Sequence, residues 1–179
     1  MDRDEAIKLL KGGKEGVAEW NLLRLPTQPI PDLSNADLQG TNLIGANLFS
    51  AALENADMRG ALLVKANLSQ ARMRGVDLVG AALNEATLHQ TSLIKADLSY
   101  SVLRKADFLG AVLSQANLSG SQLDGCNFEG AICGSTIFGD VDLSGALGLE
   151  TIVHVNASTV GIDTLARFTF GLLARIISW

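Results

Sequence analysis

From Leu33 to Leu143, every fifth residue is large and apolar. Of the 23 positions in this series 17 are Leu, and the others are Met58, Met73, Phe108, Phe128, Cys133 and Phe138. A period of five fits neither the 3.6 of a helix nor the 2 of a strand. It requires a backbone that turns the same face inward once every five residues. The position two before each centre is Ala in 14 cases and otherwise Thr, Ser, Val or Cys, apart from Pro31. The position two after is Gly in ten cases. An unbroken period of this length is a repeat architecture, in which each unit buries its apolar face only against its neighbours.

The units "ANLFS", "ADMRG", "ANLSQ", "ADLSY" and "ANLSG" resemble the A(D/N)LXX unit of the pentapeptide repeat family. The resemblance implies an all-β solenoid, a right-handed quadrilateral β-helix with four pentapeptides to each twenty-residue coil. In such a coil the centre points at the axis, the small residue sits beside a corner, and Gly lets the corner take φ > 0. Lys65, Lys95 and Tyr100 occupy the same slot, so the expectation is that some corners avoid φ > 0. Rows of twenty stack Phe108 on Phe128 and put the small Cys133 between Phe128 and Phe138, as a close-packed interior requires. Cys126 and Cys133 are expected to be buried small hydrophobes. They form no C-x-x-C pair and no zinc pattern, which suits a reducing, cytoplasmic compartment.

The organisation expected is a helical N-terminal cap at 1–30, the solenoid at 31–147, and a C-terminal segment with a capping helix at 148–179. Residues 4–10 and 14–23 read as helices broken at Gly12-Gly13, with Ile7, Leu10, Val17, Trp20 and Leu23 laid on the first coil. "PTQPIPDL" ends helix formation. "GGKEGVAEWNLLR" also resembles the leader of many bacterial members of the family, chiefly cyanobacterial ones. After Ala146 the period fails, and an irregular segment or short strand precedes "DTLARFTFGLLARIISW". That helix is expected to cap the last coil; a dimerisation helix or a membrane-surface anchor are the alternatives. The amino terminus, "MDRDEAIKLL", mixes charges and lacks a long apolar run, so neither a signal peptide nor a membrane span is expected from it.

The net charge of −5 argues against sequence-independent nucleic-acid binding, which needs Lys and Arg on phosphates. No metal-spaced cluster, nucleophile motif or phosphate-binding loop stands out, and neither a cofactor nor catalysis is expected. His89 is expected to point outward beside Glu85 and Gln90, with no nucleophile or paired acid near it, and His154 stands alone in the tail. Two outward features remain. Asp37, Asp57, Asp77 and Asp97 form a carboxylate stripe, read either as Asp bonded to nearby backbone or as an imitation of a DNA phosphate row. Some members of the resembled family imitate DNA and bind type II topoisomerases. Ile44, Leu62, Val64, Ala82 and Val102 form an apolar patch on another face, of the kind that marks a partner site. The leading expectation is a rigid, non-enzymatic scaffold for an unidentified protein partner, monomeric or paired through the C-terminal helix. A DNA-mimic inhibitor of gyrase or topoisomerase is the alternative.

Overall fold

The computed structural model describes residues 1–24 and 30–161. One unit explains the coil. The Leu63 N–H donates to the Ala82 carbonyl (2.7 Å) and the Lys65 N–H to the Asn84 carbonyl (2.9 Å), both in the following coil. The Leu62 N–H donates back to Thr41 in the preceding coil (2.9 Å), and the Ala66 N–H closes a turn onto the Leu63 carbonyl (3.0 Å). The same bonds recur along the rod. Each isolated bridge between Asp32 and Leu147 is parallel and joins residues twenty apart. Corners come so often that only one residue per side has bridge geometry, so most sides are single bridges rather than strands. The four sides are numbered here from their first bridging residues, Asp32, Asp37, Asn42 and Asn47.

The corners correct one expectation. Every fifth residue from Asn35 to Asp140 has φ between 48° and 69°, Lys65, Lys95 and Tyr100 included. Each corner N–H must reach the next coil while the turn closes on the centre's carbonyl, and positive φ at the third turn position is the type II solution. A non-Gly residue there gives up roughly 1–2 kcal/mol. The interlocking bonds on both sides hold it in place.

Every centre from Leu33 to Leu143 is at most 1% exposed. Phe108 and Phe128 stack with ring centroids 5.1 Å apart, and Phe138 meets Phe128 edge-on at 6.3 Å. Buried hydroxyls in the small slot are satisfied locally: Thr91 donates to the Leu68 carbonyl and Ser101 to that of Leu98. Cys126 copies the Thr91 bond, its Sγ–H donating to the Leu103 carbonyl at 2.9 Å. Burial pushes the Cys126 thiol up to about 12 and the Cys133 thiol up to about 11, so both are structural rather than nucleophilic.

Helices α1 (Arg3–Lys11) and α2 (Gly13–Leu23) cover the first coil. Asp2 caps α1 by accepting the Glu5 N–H. Gly16 lets the helices touch, since a Cβ there would lie 2.0 Å from the Leu9 carbonyl oxygen. Ala6, Leu10, Val17 and Trp20 are buried and Ile7 packs on the core, whereas Leu23, expected on the coil, is 42% exposed. The first coil has no predecessor to donate to its outward carbonyls, and side chains replace it. Arg3 donates to the carbonyls of Asp32 and Ser34, and Arg24 to those of Asn47 and Phe49. Each guanidinium thus spans the two carbonyls that a preceding centre and corner would have bonded. Trp20 adds an Nε1–H bond to the Asn47 carbonyl at 2.8 Å.

At the other end, stacking continues past residue 147. β1 (Ile132–Cys133) pairs in parallel with β3 (Val153–His154), and β2 (Ile137–Phe138) with β4 (Thr159–Val160). Ile132 meets Val153 and Ile137 meets Thr159, offsets one and two residues longer than the regular twenty. The first extra residue falls around the short 3-10 turn at Leu149–Thr151. These insertions hide the period, which is why the sequence reads there as irregular. The helix expected at 163–179 lies outside the described residues.

Candidate functional site

On the second side Asp37, Asp57, Asp77 and Asp97 bridge in succession. Their carboxylates are used within the chain. Each accepts the N–H two residues on: Gln39, Arg59, Val79 and Ser99. Lys11 lies 2.9 Å from Asp37, and Arg59 pairs with Asp57 and reaches Asp77 at 3.5 Å. Asp97 also accepts from the Asn117 amide. The hydrogen bond from Lys11 holds the Asp37 carboxyl below its ordinary range, and that from Arg59 does the same for Asp57. A row imitating DNA needs bare charge, and this one carries two of its own cations.

The fourth side corrects the reading of His89. Its Nε2 lies 2.6 Å from Asp107 Oδ2, so a paired acid does stand near it. The residue after a centre leans across to the residue before the centre in the next coil, 18 positions on. Arg72 and Glu54 pair along the same diagonal. Listing such diagonals in the sequence would have found both pairs. Asp107 is held in turn by the Leu109 N–H and the Asn127 amide. Among the described residues, no group of three His, Cys, Asp or Glu is arranged to hold a metal ion.

The third side is built differently. The ladder runs Asn42, Leu62, Ala82, Val102, Gln122. Leu62, Ala82 and Val102 stand in successive coils of one ladder, with Ile44 and Val64 on the same side, 18 positions before Leu62 and Ala82. Ile44 is 47% exposed and Leu62 40%, and Val64, Ala82 and Val102 are half-buried. One edge is flat, since Gly40, Gly60 and Gly80 carry no side chains, until Tyr100 rises at 71% exposure. The other edge carries Lys65, Glu85 and Lys105, with Lys65 and Glu85 3.6 Å apart.

Beyond Val102 this side opens into a cavity of about 590 Å³, which sequence reasoning missed. Tyr100, Arg104, Gln122, Asp124 and Asp142 line it. It lies where the ladder stops: among the described residues, Gln122 has no bridge to the next coil on this side. The Tyr100 ring lies over Gly120, where an added Cβ would come within 2.7 Å of it. No helix among the described residues is long and apolar enough to cross a membrane.

No curated protein matches the chain. Among solved structures, the pentapeptide repeat protein Rfr23 from the cyanobacterium Cyanothece 51142 is 30% identical over 60% of this chain and 65% of its own, with a TM-score of 0.39. This chain thus spans just under two thirds of Rfr23. HetL from Nostoc sp. strain PCC 7120, a pentapeptide repeat protein involved in heterocyst differentiation regulation, is 29% identical over 73% of this chain and 70% of its own, with a TM-score of 0.39. Full-length QnrB1, a plasmid-mediated fluoroquinolone resistance protein, is 18% identical over 83% of this chain and 84% of its own, with a TM-score of 0.37. The family model for pentapeptide repeats matches in eight copies, at 32–63, 51–90, 61–99 and 91–130. With more than half of its residues matched by that model, the chain belongs to the pentapeptide repeat family.

Proposed function

We propose that the protein is a non-enzymatic, rigid scaffold, a right-handed four-sided β-helix whose third side binds another protein. The observation that carries this reading is the contiguous, solvent-facing row of Ile44, Leu62, Val64, Ala82 and Val102. Contiguous apolar surface on a soluble protein marks an interaction site, where scattered exposed aliphatics do not. The groups that could have carried chemistry have structural duties. Both thiols are buried, His89 is tied to Asp107, and the stripe acids hold their own turns. A solenoid held by bonds between neighbouring coils is stiff, which favours binding on a preformed surface. The partner is a protein, without direct nucleic-acid binding, in a cytoplasmic setting. Pairing of two chains through residues 163–179 is compatible with this reading.

The test is co-purification from the cells that encode the chain. Leu62→Ser with Val102→Ser should lose the captured partner while keeping the melting temperature. Asp57→Asn with Asp77→Asn should keep it, and neither parent nor variant should inhibit gyrase supercoiling. Micromolar inhibition of gyrase that the Asp57 and Asp77 variant abolishes would replace this reading with the DNA-mimic one.

A further inference from the structure

The third side has a charge pattern and a spacing that narrow the class of partner, and the inference rests on the proposed docking role of that side. Its open edge is flat at Gly40, Gly60 and Gly80, as far as Tyr100, so a bulky element can approach over those coils. Its other edge is a ridge bearing Lys65, Glu85 and Lys105, and Arg104 and Asp124 stand together at its end. The ridge carries one more cation than acid, on a chain whose net charge is −5. Lys65 and Glu85 are both largely exposed and 3.6 Å apart, a weak pair that leaves the lysine available to a partner.

The spacing discriminates between elements. The apolar residues recur along the rod at the coil spacing, about 4.8 Å. A helix lying along the rod presents a side chain to the same line once per turn, about every 5.4 Å, so successive turns settle close to successive coils. An extended segment presents alternate residues at about 6.7 Å and falls out of step after one coil. Nor can such a segment add to the sheet here, because this surface is a face and not an edge. We propose that the third side docks an amphipathic α-helix of a partner protein. The helix lies along the rod with its apolar stripe on Ile44, Leu62, Val64, Ala82 and Val102, and acidic residues flank the stripe over Lys65 and Lys105. The apolar segment 163–179 of a second copy has the wrong sign for this ridge, since it carries Arg167 and Arg175 against Asp163 alone.

The experiment pans two phage-displayed libraries on the full chain. One holds helical peptides with a fixed Leu and Ala stripe and randomised flanks, and the other holds unstructured linear peptides. The helical library should yield binders whose flanks are enriched in Asp and Glu. Their affinity should fall roughly tenfold or more for Leu62→Ser with Val102→Ser, as for anchors at an interface centre. It should fall several-fold for Lys65→Glu with Lys105→Glu, and this second loss should shrink at high salt. Binders that need Leu62 and Val102 but come from the linear library, or carry basic flanks, overturn the helix inference and leave the docking side standing. Binders indifferent to Leu62 and Val102, or no binders at all, overturn both. A concentration-dependent dimer in sedimentation, abolished by the Leu62 and Val102 variant, assigns the side to a second copy instead.

Discussion

The second and third sides of the rod share a backbone, a register and a core, and they differ in what they present to solvent. On the second side each bridging Asp accepts the N–H two residues on, and Lys11 and Arg59 close over the stripe. On the third side Asn42 does this for Ile44, but Leu62, Ala82 and Val102 cannot do it for Val64, Asn84 and Arg104. A local bond worth about 0.5–1.5 kcal/mol is therefore given up at each of three positions. The difference teaches that the coil does without the turn bond at aliphatic bridging positions, as the first side does at Ala52, Val112 and Ile132, and the exposure of Ile44 and Leu62 is what the proposed docking role accounts for.

The comparison can be broken in several places, and the largest effect is inward. Leu83 is a fully buried centre of the third side, and Ala82 beside it faces out. Leu83→Asp should cost roughly 3 kcal/mol or more, from lost burial and a stranded carboxylate, and should unfold or split the rod in a thermal melt. Ala82→Asp should melt with the parent. Equal melting of the two variants would mean that the inward and outward assignments are wrong.

Next comes the second side's own bonding. Asp77→Leu removes the acceptor of the Val79 N–H and should lower stability by about 1 kcal/mol in urea denaturation. No loss would remove the contrast between the two sides.

Acid should act on the second side and, through Asp32 and Glu54, on the first, but not on the third. The folded Asp37 and Asp57 carboxyls sit below their ordinary value, through hydrogen bonds from Lys11 and Arg59. A carboxyl lowered on folding contributes stability that is fully present above its unfolded value and is lost as pH falls through its folded value. The urea midpoint should therefore hold from pH 7 down to about pH 4 and decline below it. Both groups are solvent-exposed, so the decline is small and salt-sensitive. Lys11→Met with Arg59→Met should reduce it to the share that Asp32 and Glu54 carry on the first side, and Leu62→Ser should leave it unchanged. An acid limb that ignores the loss of both cations contradicts the pairing.

The smallest effect is the most diagnostic of the third side. Leu62→Asn supplies the missing acceptor to the Val64 N–H, so stability should stay level or rise by up to about 1 kcal/mol. A clear loss would show that Leu62 serves the coil after all.

What the sequence made legible follows from what a strict period encodes. Inward positions depend only on the register, so the centres, the Phe108–Phe128 stack, the buried thiols and the apolar contiguity of the third side all emerge from rows of twenty. The Asp and Asn bonding was legible because the acceptor lies two residues from its donor. Contacts set by reach rather than register were not. His89 finds Asp107 along a diagonal, and Arg3 and Arg24 find bare carbonyls at the rod's start with no period to announce them. Lys65 and Tyr100 misled because residue type suggested a relaxed corner, while bonding between coils imposes the same φ on all. The β1–β3 and β2–β4 pairs were hidden by one and two inserted residues, and the cavity by Tyr100 appears only where a ladder stops.

The central claim is that the third side exists for a partner, and site-specific photo-crosslinking in the cells that encode the chain tests it most directly. Ala82→p-benzoylphenylalanine places the crosslinker on the third side, and Ser92→p-benzoylphenylalanine places it on the first side of the neighbouring stretch. The account predicts a discrete protein adduct from position 82, none from position 92, and loss of the first when Leu62→Ser and Val102→Ser are added. Adducts of equal yield from both positions, or an adduct from 92 alone, would contradict it.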